Sequence, residues 1–335
     1  MDRTVLVTGA AGYIGSVLVR QLLDKGYRVH GVDVLRFGGE SLLGVLDHER
    51  FEFQNLDVRD SHAMATTMDG VWAVVHLAAI VGDPACRQEP ELARETNLEA
   101  SKALYELAND AGVERFVFAS TCSNYGKMTD PSAYVNETSE LRPVSLYAET
   151  KVAVEQHLLG QPKERATKPT CLRFATVYGL SPRMRFDLTV NEFTRDLVNG
   201  RELVVFGEQF WRPYCHVRDL ARSVVHVLEA PAEKVAFEVF NVGDTGENYQ
   251  KASIIEAVLE QAPQGRVTYV HKDEDPRDYR VDFSKIRDVL GFEVTRKLRD
   301  GVREIRLAIE QGLFSSPYAA TYSNTAPAAE PVAVT

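Results

Sequence analysis

The sequence predicts an α/β fold: a doubly wound parallel sheet of the Rossmann type, with a smaller mixed α/β lobe toward the C-terminus. Three observations predict it. Short β-branched runs alternate with helix-length amphipathic stretches through residue 178, the first of these runs ends in a glycine-rich turn that opens a helix, and the alternation loosens after Tyr178-Gly179. Strand alternating with helix means βαβ units, whose parallel strands need helices on both faces. Right-handed crossovers then wind the sheet in both directions from its first strand.

Thr4 to Thr8 (TVLVT) reads as a buried strand. Residues 13–25 carry apolar positions at helical spacing, and Gly26 closes that helix as a C-cap. Arg28 to Asp33 (RVHGVD) is a second strand, and further strands fall at 51–54, 71–77, 115–119 and 170–175. Helices fall near 60–69, 91–111 and 145–160. Beyond residue 179, helices at 187–199, 218–229, 251–262 and 300–311 mix with short strands at 203–206, 237–240 and 267–270. The expected organisation is a sheet domain over 1–178, completed by later segments, and an interleaved lobe over 179–314. Residues 315–335, rich in Ala, Pro, Ser and Thr, lack core-forming periodicity and are expected to be a mobile tail.

Bulk composition narrows the function. The formal charge of −10 argues against nucleic-acid binding, because phosphate backbones reward clustered Lys and Arg. It leaves room for an anionic small ligand held by a few local arginines. Cys86, Cys122, Cys171 and Cys215 are widely spaced with no CxxC pair, so neither zinc nor a disulfide framework is expected, and reduced thiols in the cytoplasm are. The N-terminus reads as a strand rather than a signal peptide, and no stretch approaches the ~18 apolar residues of a membrane span.

Thr8 to Gly15 (TGAAGYIG) lies between the first strand and the first helix. Gly9 permits the tight turn, Gly12 lets backbone approach a pyrophosphate, and Gly15 lets the helix pack on the strand; Tyr13 and Ile14 complete the turn. The helix N-terminus presents free N–H groups to the anion. The spacing is GxxGxxG rather than GxGxxG, so its weight comes from the strand–turn–helix context. Asp33 ends the second strand, where its carboxylate accepts from a ribose 2′-hydroxyl and repels a 2′-phosphate. The site is therefore expected to favour NAD over NADP. Arg36, three residues on, is the residue that argues for NADP, and Asp57-Val58 after the third strand is placed to flank the adenine.

Tyr147 and Lys151 (YAETK) stand four apart, on one face of a helix. A nearby ammonium and a positive nicotinamide ring both favour the phenolate. Lys151 is also placed to hold the nicotinamide ribose, and Thr121, after the strand at 115–119, to donate to a carbonyl forming on a substrate.

These motifs resemble the extended short-chain dehydrogenase/reductases, and within them the nucleotide-sugar epimerase/dehydratase group typified by UDP-glucose 4-epimerase. The matching residues are TGAAGYIG at 8–15, Asp33, Asp57-Val58, HLAA at 76–79, Asn97, ASTCSNYG at 119–126, YAETK at 147–151 and LRFATVYG at 172–179. RPYCHVRD at 212–219, FNVGDTG at 240–246 and VDFSKIRDVLGF at 281–292 fit in the second lobe, leaving only the last twenty or so residues outside. The resemblance gives Thr121, Tyr147 and Lys151 the Ser/Thr–Tyr–Lys roles and adds Leu77, Ala78, Ala79 and Asn97 to the cofactor site. It makes Arg212 a ligand of the sugar nucleotide's diphosphate and Arg277, in DPRDYR, a candidate second one. Thr176 stands where many members bind substrate with Asn. It also implies a homodimer through the helices at 91–111 and 145–160.

Residues near Thr121 bear on the reaction. The dehydratases carry Asp-Glu directly after the catalytic Thr; here those positions are Cys122 and Ser123. Decarboxylating relatives place Glu two residues on, and reductases and 3,5-epimerases place a reactive Cys there; Ser123 is neither, and Cys122 reads as a small packing residue. Pro182-Arg183-Met184 resembles a decarboxylase run, shifted in position. What remains is C4 epimerisation of a nucleotide-diphosphate hexose or uronic acid through a 4-keto intermediate, with Arg183 and Arg185 lining the sugar pocket. The alternatives are another redox enzyme on a nucleotide sugar (4-ketoreductase, dehydrogenase or decarboxylase) and, in a different class, a non-catalytic dinucleotide sensor.

Overall fold

The computed structural model describes residues 3–128, 130, 133–272 and 277–325. In chain order its strands are β1 (Thr4–Thr8), β2 (Arg28–Asp33), β3 (Phe51–Asn55), β4 (Val71–His76), β5 (Arg115–Thr121), β6 (Lys168–Phe174), β7 (Thr176–Tyr178), β8 (Glu202–Phe206), β9 (Trp211–His216), β10 (Glu238–Val242), β11 (Asn248–Gln250) and β12 (Arg266–Val270). The helices are α1 (Gly15–Asp24), α2 (Ser61–Ala65), α3 (Asp83–Gln88), α4 (Pro90–Arg94), α5 (Ala100–Asp110), α6 (Leu146–Leu159), α7 (Thr189–Val198), α8 (Val217–Glu229), α9 (Ala232–Val235), α10 (Lys251–Leu259), α11 (Ser284–Leu290) and α12 (Leu298–Glu310).

Seven parallel strands form the central sheet in the order β10-β6-β5-β4-β1-β2-β3, so the chain winds outward from β1 in both directions. The alternation of side chains along β1 divides the two cores. Val5 and Val7 join the cluster under α1 and α8, while Leu6 joins the cluster that holds Met64 of α2, Leu104 and Tyr105 of α5, and Val154 and Leu158 of α6. A third cluster, built from Val190, Phe193 and Leu197 of α7, Ile254 and Val258 of α10, and Leu298 and Val302 of α12, is the core of the second lobe. Small sheets β11-β9-β7 and β12-β8 complete that lobe. Among these strands, β7 and β11 are only three residues long, too short to show a period in the sequence. α8 and β10 follow residue 179 in sequence but belong to the layers of the central sheet.

Gly26 ends α1 as expected, with φ of +83°; its N–H bonds the Leu23 carbonyl at 2.9 Å and the next N–H bonds the Leu22 carbonyl at 3.1 Å. Three expected elements differ. Only Ser61–Ala65 is helical in the stretch 60–69, and Asp60 caps it by accepting from the Ala63 N–H. The helix expected over 91–111 is broken by a π-turn at Glu95–Glu99, which buries Asn97 completely. Within the expected mobile tail, residues 315–325 pack onto the protein, a correction to the expectation for that part. Tyr322 makes edge contacts with Phe186 and Phe314, and its carbonyl accepts from the Phe186 N–H at 2.8 Å. Two aromatic rings therefore anchor a segment whose composition reads as unstructured. Residues 326–335 of that tail lie outside the described residues.

Candidate active site

The turn after β1 is shaped by close approaches that only glycine permits. Gly9 has φ of +74°, and a Cβ there would lie 2.9 Å from the Ala78 nitrogen; a Cβ on Gly15 would run into the Gly9 carbonyl. Leu77 and Ala78, directly after β4, hold the other wall: the Leu77 N–H bonds the Thr8 carbonyl at 3.1 Å and the Ala78 N–H bonds Thr8 Oγ1 at 3.3 Å. Ala79 follows, half-buried. The turn thus brings backbone N–H groups and the α1 N-terminus to one anion-sized cradle, with Ile14 as the residue that enters the helix. A dinucleotide diphosphate fits this donor set.

Asp33 is fixed at the tip of β2. Its Oδ2 accepts from the Ala11 N–H at 3.0 Å and its Oδ1 from the Leu35 N–H at 2.8 Å. Burial pushes its carboxyl up, and these two bonds oppose the shift. Arg36 does not act as a free 2′-phosphate ligand: it is forked onto Glu89, with Nη1 to Oε2 at 3.1 Å and Nη2 to Oε1. Asp57, expected beside the adenine, is gripped by Arg59 at 2.7 Å, while Val58 is buried in the α2–α5 core. Asn97 spends its amide on the backbone of Ile80, accepting from its N–H at 2.8 Å and donating to its carbonyl at 2.9 Å. It therefore shapes the loop after β4 rather than offering its amide to a ligand.

Thr121 ends β5 and caps the turn Cys122–Tyr125, its Oγ1 accepting from the Ser123 N–H at 3.1 Å. Ser145 caps α6 and puts Tyr147 and Lys151 on its first two turns. Lys151 is buried rather than set on a solvated helix face. Its Nζ donates to the Ala119 carbonyl at 2.8 Å, sits 4.6 Å from the Phe118 ring centroid and lies 5.9 Å from that of Tyr147. Burial pushes its ammonium down to about 8, and burial pushes the Tyr147 phenol up. The phenol is therefore neutral at pH 7 in the protein alone. The Cys122 thiol is buried and donates to the Arg173 carbonyl at 3.2 Å, as a packing residue would.

The arginines fall into separate places. Arg185 is buried and forked onto Asp187, with Nε to Oδ1 at 2.9 Å and Nη2 to Oδ2 at 2.7 Å; its charge reaches Tyr147. Arg183 lies elsewhere, its guanidinium 4.3 Å from the centroid of Phe37 on the loop after β2. Arg212, on β9, lies 5.4 Å from the centroid of the Tyr279 ring and donates to the Trp211 carbonyl at 2.9 Å. Arg277 donates to Asp83 Oδ2 at 2.9 Å, and Asp83 in turn accepts from the Ser145 hydroxyl at 2.7 Å. Thr176 opens β7, half-buried and in register with Tyr214 of β9.

Several residues of this region carry no sequence signal. Asp83 links Arg277 to the α6 cap, and Asp187 holds Arg185. Behind Thr121, Glu155 and Arg173 form a fully enclosed pair at 2.7 Å, with Ser120 and Asn124 also donating to Glu155. Glu155 lies one turn beyond Lys151, so YAETK-x-x-x-E offered a faint hint; its partner Arg173, 18 residues away, did not.

A parallel doubly wound sheet with a glycine cradle at β1 and a Thr–Tyr–Lys group beyond β5 defines an extended short-chain dehydrogenase/reductase. Residues 5–243 match the NAD dependent epimerase/dehydratase family. The chain belongs to that family. It is 31% identical over 318 residues to a protein of Bacillus subtilis (strain 168) described as an uncharacterized UDP-glucose epimerase, YtcB, covering 89% of this chain and 95% of that one. It is also 31% identical to a dTDP-glucose 4,6-dehydratase of Streptomyces griseus, over 90% of this chain and 92% of that one. A crystal structure of UDP-glucuronic acid 4-epimerase from Bacillus cereus, in complex with UDP-glucuronic acid and NAD, superposes with a TM-score of 0.83 at 26% identity, covering 93% of this chain and 100% of that one. The protein is thus an NAD-dependent enzyme of the nucleotide-sugar epimerase/dehydratase type.

Proposed function

We propose that the reaction is epimerisation at C4 of a nucleotide-diphosphate hexose or the corresponding uronic acid. One observation carries this reading: the two positions after Thr121 hold Cys122, sealed in the core, and Ser123, so no acid pair stands beside Thr121 to eliminate water.

In this scheme Gly9, Gly12, Gly15 and Asp33 hold NAD, which when bound supplies hydride acceptance from C4 and its return. Lys151, fixed by the Ala119 carbonyl, remains mostly protonated at pH 7 and favours the Tyr147 phenolate. Tyr147 takes the proton from the sugar O4, and Thr121 donates to the oxygen as it becomes a carbonyl. Arg212 and Arg277 hold the diphosphate while the 4-keto sugar turns to present its opposite face, and Tyr147 then returns the proton. A homodimer through α5 and α6 belongs to the same proposal and is checked by sedimentation.

The test is a panel of UDP-, dTDP- and GDP-linked hexoses and hexuronic acids, followed by NMR. Interconversion of C4 epimers without net change in NADH is the expected result, with Tyr147→Phe slowed by about 10²–10⁴-fold. Loss of water or carbon dioxide, or stoichiometric use of NAD(P)H, overturns the epimerase reading. A Tyr147→Phe protein as active as the parent on every sugar overturns the catalytic role.

A further inference from the structure

Residues 179–183 come from the start of the second lobe, yet they are fastened to the phosphate turn of the first. The Tyr13 hydroxyl donates to the Gly179 carbonyl, and the Asn191 amide donates to that hydroxyl at 3.0 Å. Ser181 Oγ donates to the Tyr13 carbonyl at 2.7 Å and lies 3.2 Å from Ser16 Oγ on the first turn of α1. These bonds hold the segment just before Arg183 against the phosphate turn, and the charges of Asp33 and Tyr13 reach Arg183 itself.

Arg183 is 7% exposed. Its guanidinium stacks over Phe37, and none of its three nitrogens has a hydrogen-bond partner among the described residues. The two carboxylates whose charge reaches it are both committed: Asp33 to the Ala11 and Leu35 N–H groups, and Asp187 to Arg185. Burial, and then Arg185, push its pKa down to about 10, which still leaves it charged at pH 7. A buried cation with five N–H donors and no acceptor is costly unless a ligand completes it. The neighbouring feature built for a ligand is the glycine cradle at the N-terminus of α1, an anion site. A guanidinium is the group that binds phosphate oxygens in a planar fork.

We propose that Arg183, stacked on Phe37, is a ligand of the NAD diphosphate, clasping the cofactor from the side of the second lobe. The assignment differs from a place in the sugar pocket. It also gives a reason for the cofactor to stay bound: the turn beneath it and the clasp above it come from segments about 170 residues apart, tied by Tyr13 and Ser181.

The test uses protein freed of dinucleotide and measures equilibrium binding of NAD, ADP-ribose and adenosine to the parent, Arg183→Met and Arg183→Lys. Loss of a charge-assisted fork predicts that Arg183→Met weakens NAD and ADP-ribose alike by about 10–100-fold, leaves adenosine within about twofold, and that Arg183→Lys falls between. The ligand-free Arg183→Met protein is also expected to melt no lower than the parent, because it loses an unpaired buried charge. If NAD and ADP-ribose affinities stay within about threefold while the KM for a sugar nucleotide rises, Arg183 serves the substrate and the proposal fails. Unchanged binding of every ligand overturns it as well. Should Arg183→Met not fold, Arg183→Lys with undiminished ADP-ribose affinity overturns it alone.

Discussion

Lys151→Met separates the chemical role of the lysine from its cost to the fold. Lys151 is 2% exposed, and burial takes its ammonium from an ordinary 10.5 to about 8. That fall corresponds to about 3 kcal/mol, at about 1.4 kcal/mol per tenfold. Because the folded value lies below the unfolded one, the unfolded chain binds the extra proton between about pH 8 and 10.5, and stability rises with pH across that window. Below it the folded protein bears the whole penalty; above it the penalty is gone. Methionine carries no such charge but leaves the Ala119 carbonyl without its 2.8 Å donor, at about 1–3 kcal/mol independent of pH. The variant, freed of dinucleotide, is therefore expected to be at least as stable as the parent at pH 7, and to lose about 2.5 kcal/mol relative to it by pH 10. With an unfolding entropy of about 2.1 cal/mol/K per residue over 335 residues, that is a relative fall in Tm of about 3–4 °C. Paired thermal melts at pH 7 and pH 10 measure it, and turnover is expected to vanish at both. A difference in Tm that is flat with pH refutes the reasoning.

Other perturbations test neighbouring parts of the structure. Glu155→Leu leaves Arg173 charged and enclosed and is expected to cost about 3–5 kcal/mol, read by urea unfolding. Adding Arg173→Met should recover part of that loss, and a double variant less stable than the single would contradict the account. Glu89→Ala frees Arg36 and is expected to narrow the preference for NAD over NADP, measured as the ratio of the two dissociation constants; an unchanged ratio would mean that Asp33 alone sets it. Tyr322→Ala opens the contacts with Phe186 and Phe314, and a loss of about 1–2 kcal/mol in a denaturant titration is expected from a half-buried ring. No loss would show that residues 315–325 do not hold to the protein in solution.

The sequence alone determined the parts of this enzyme that are local. The β-branched run of β1, the glycines at 9, 12 and 15, the Asp at the end of β2 and the i,i+4 pair Tyr147–Lys151 are each written within a few residues, because steric turns, strand propensity and helix period act over that range. Arg36, Arg183, Arg185 and Arg277 were equally visible as charges, yet their places were not, since what an arginine does depends on which carboxylate reaches it. Glu89, Asp187 and Asp83 claim three of them, and Asp83 meets Arg277 across 194 positions of chain. The same limit hid the anchoring of residues 315–325, which depends on Phe186 rather than on any pattern of their own. Only the tertiary fold decided these matters, because packing assigns partners across a distance at which the chain's own periodicity carries no information.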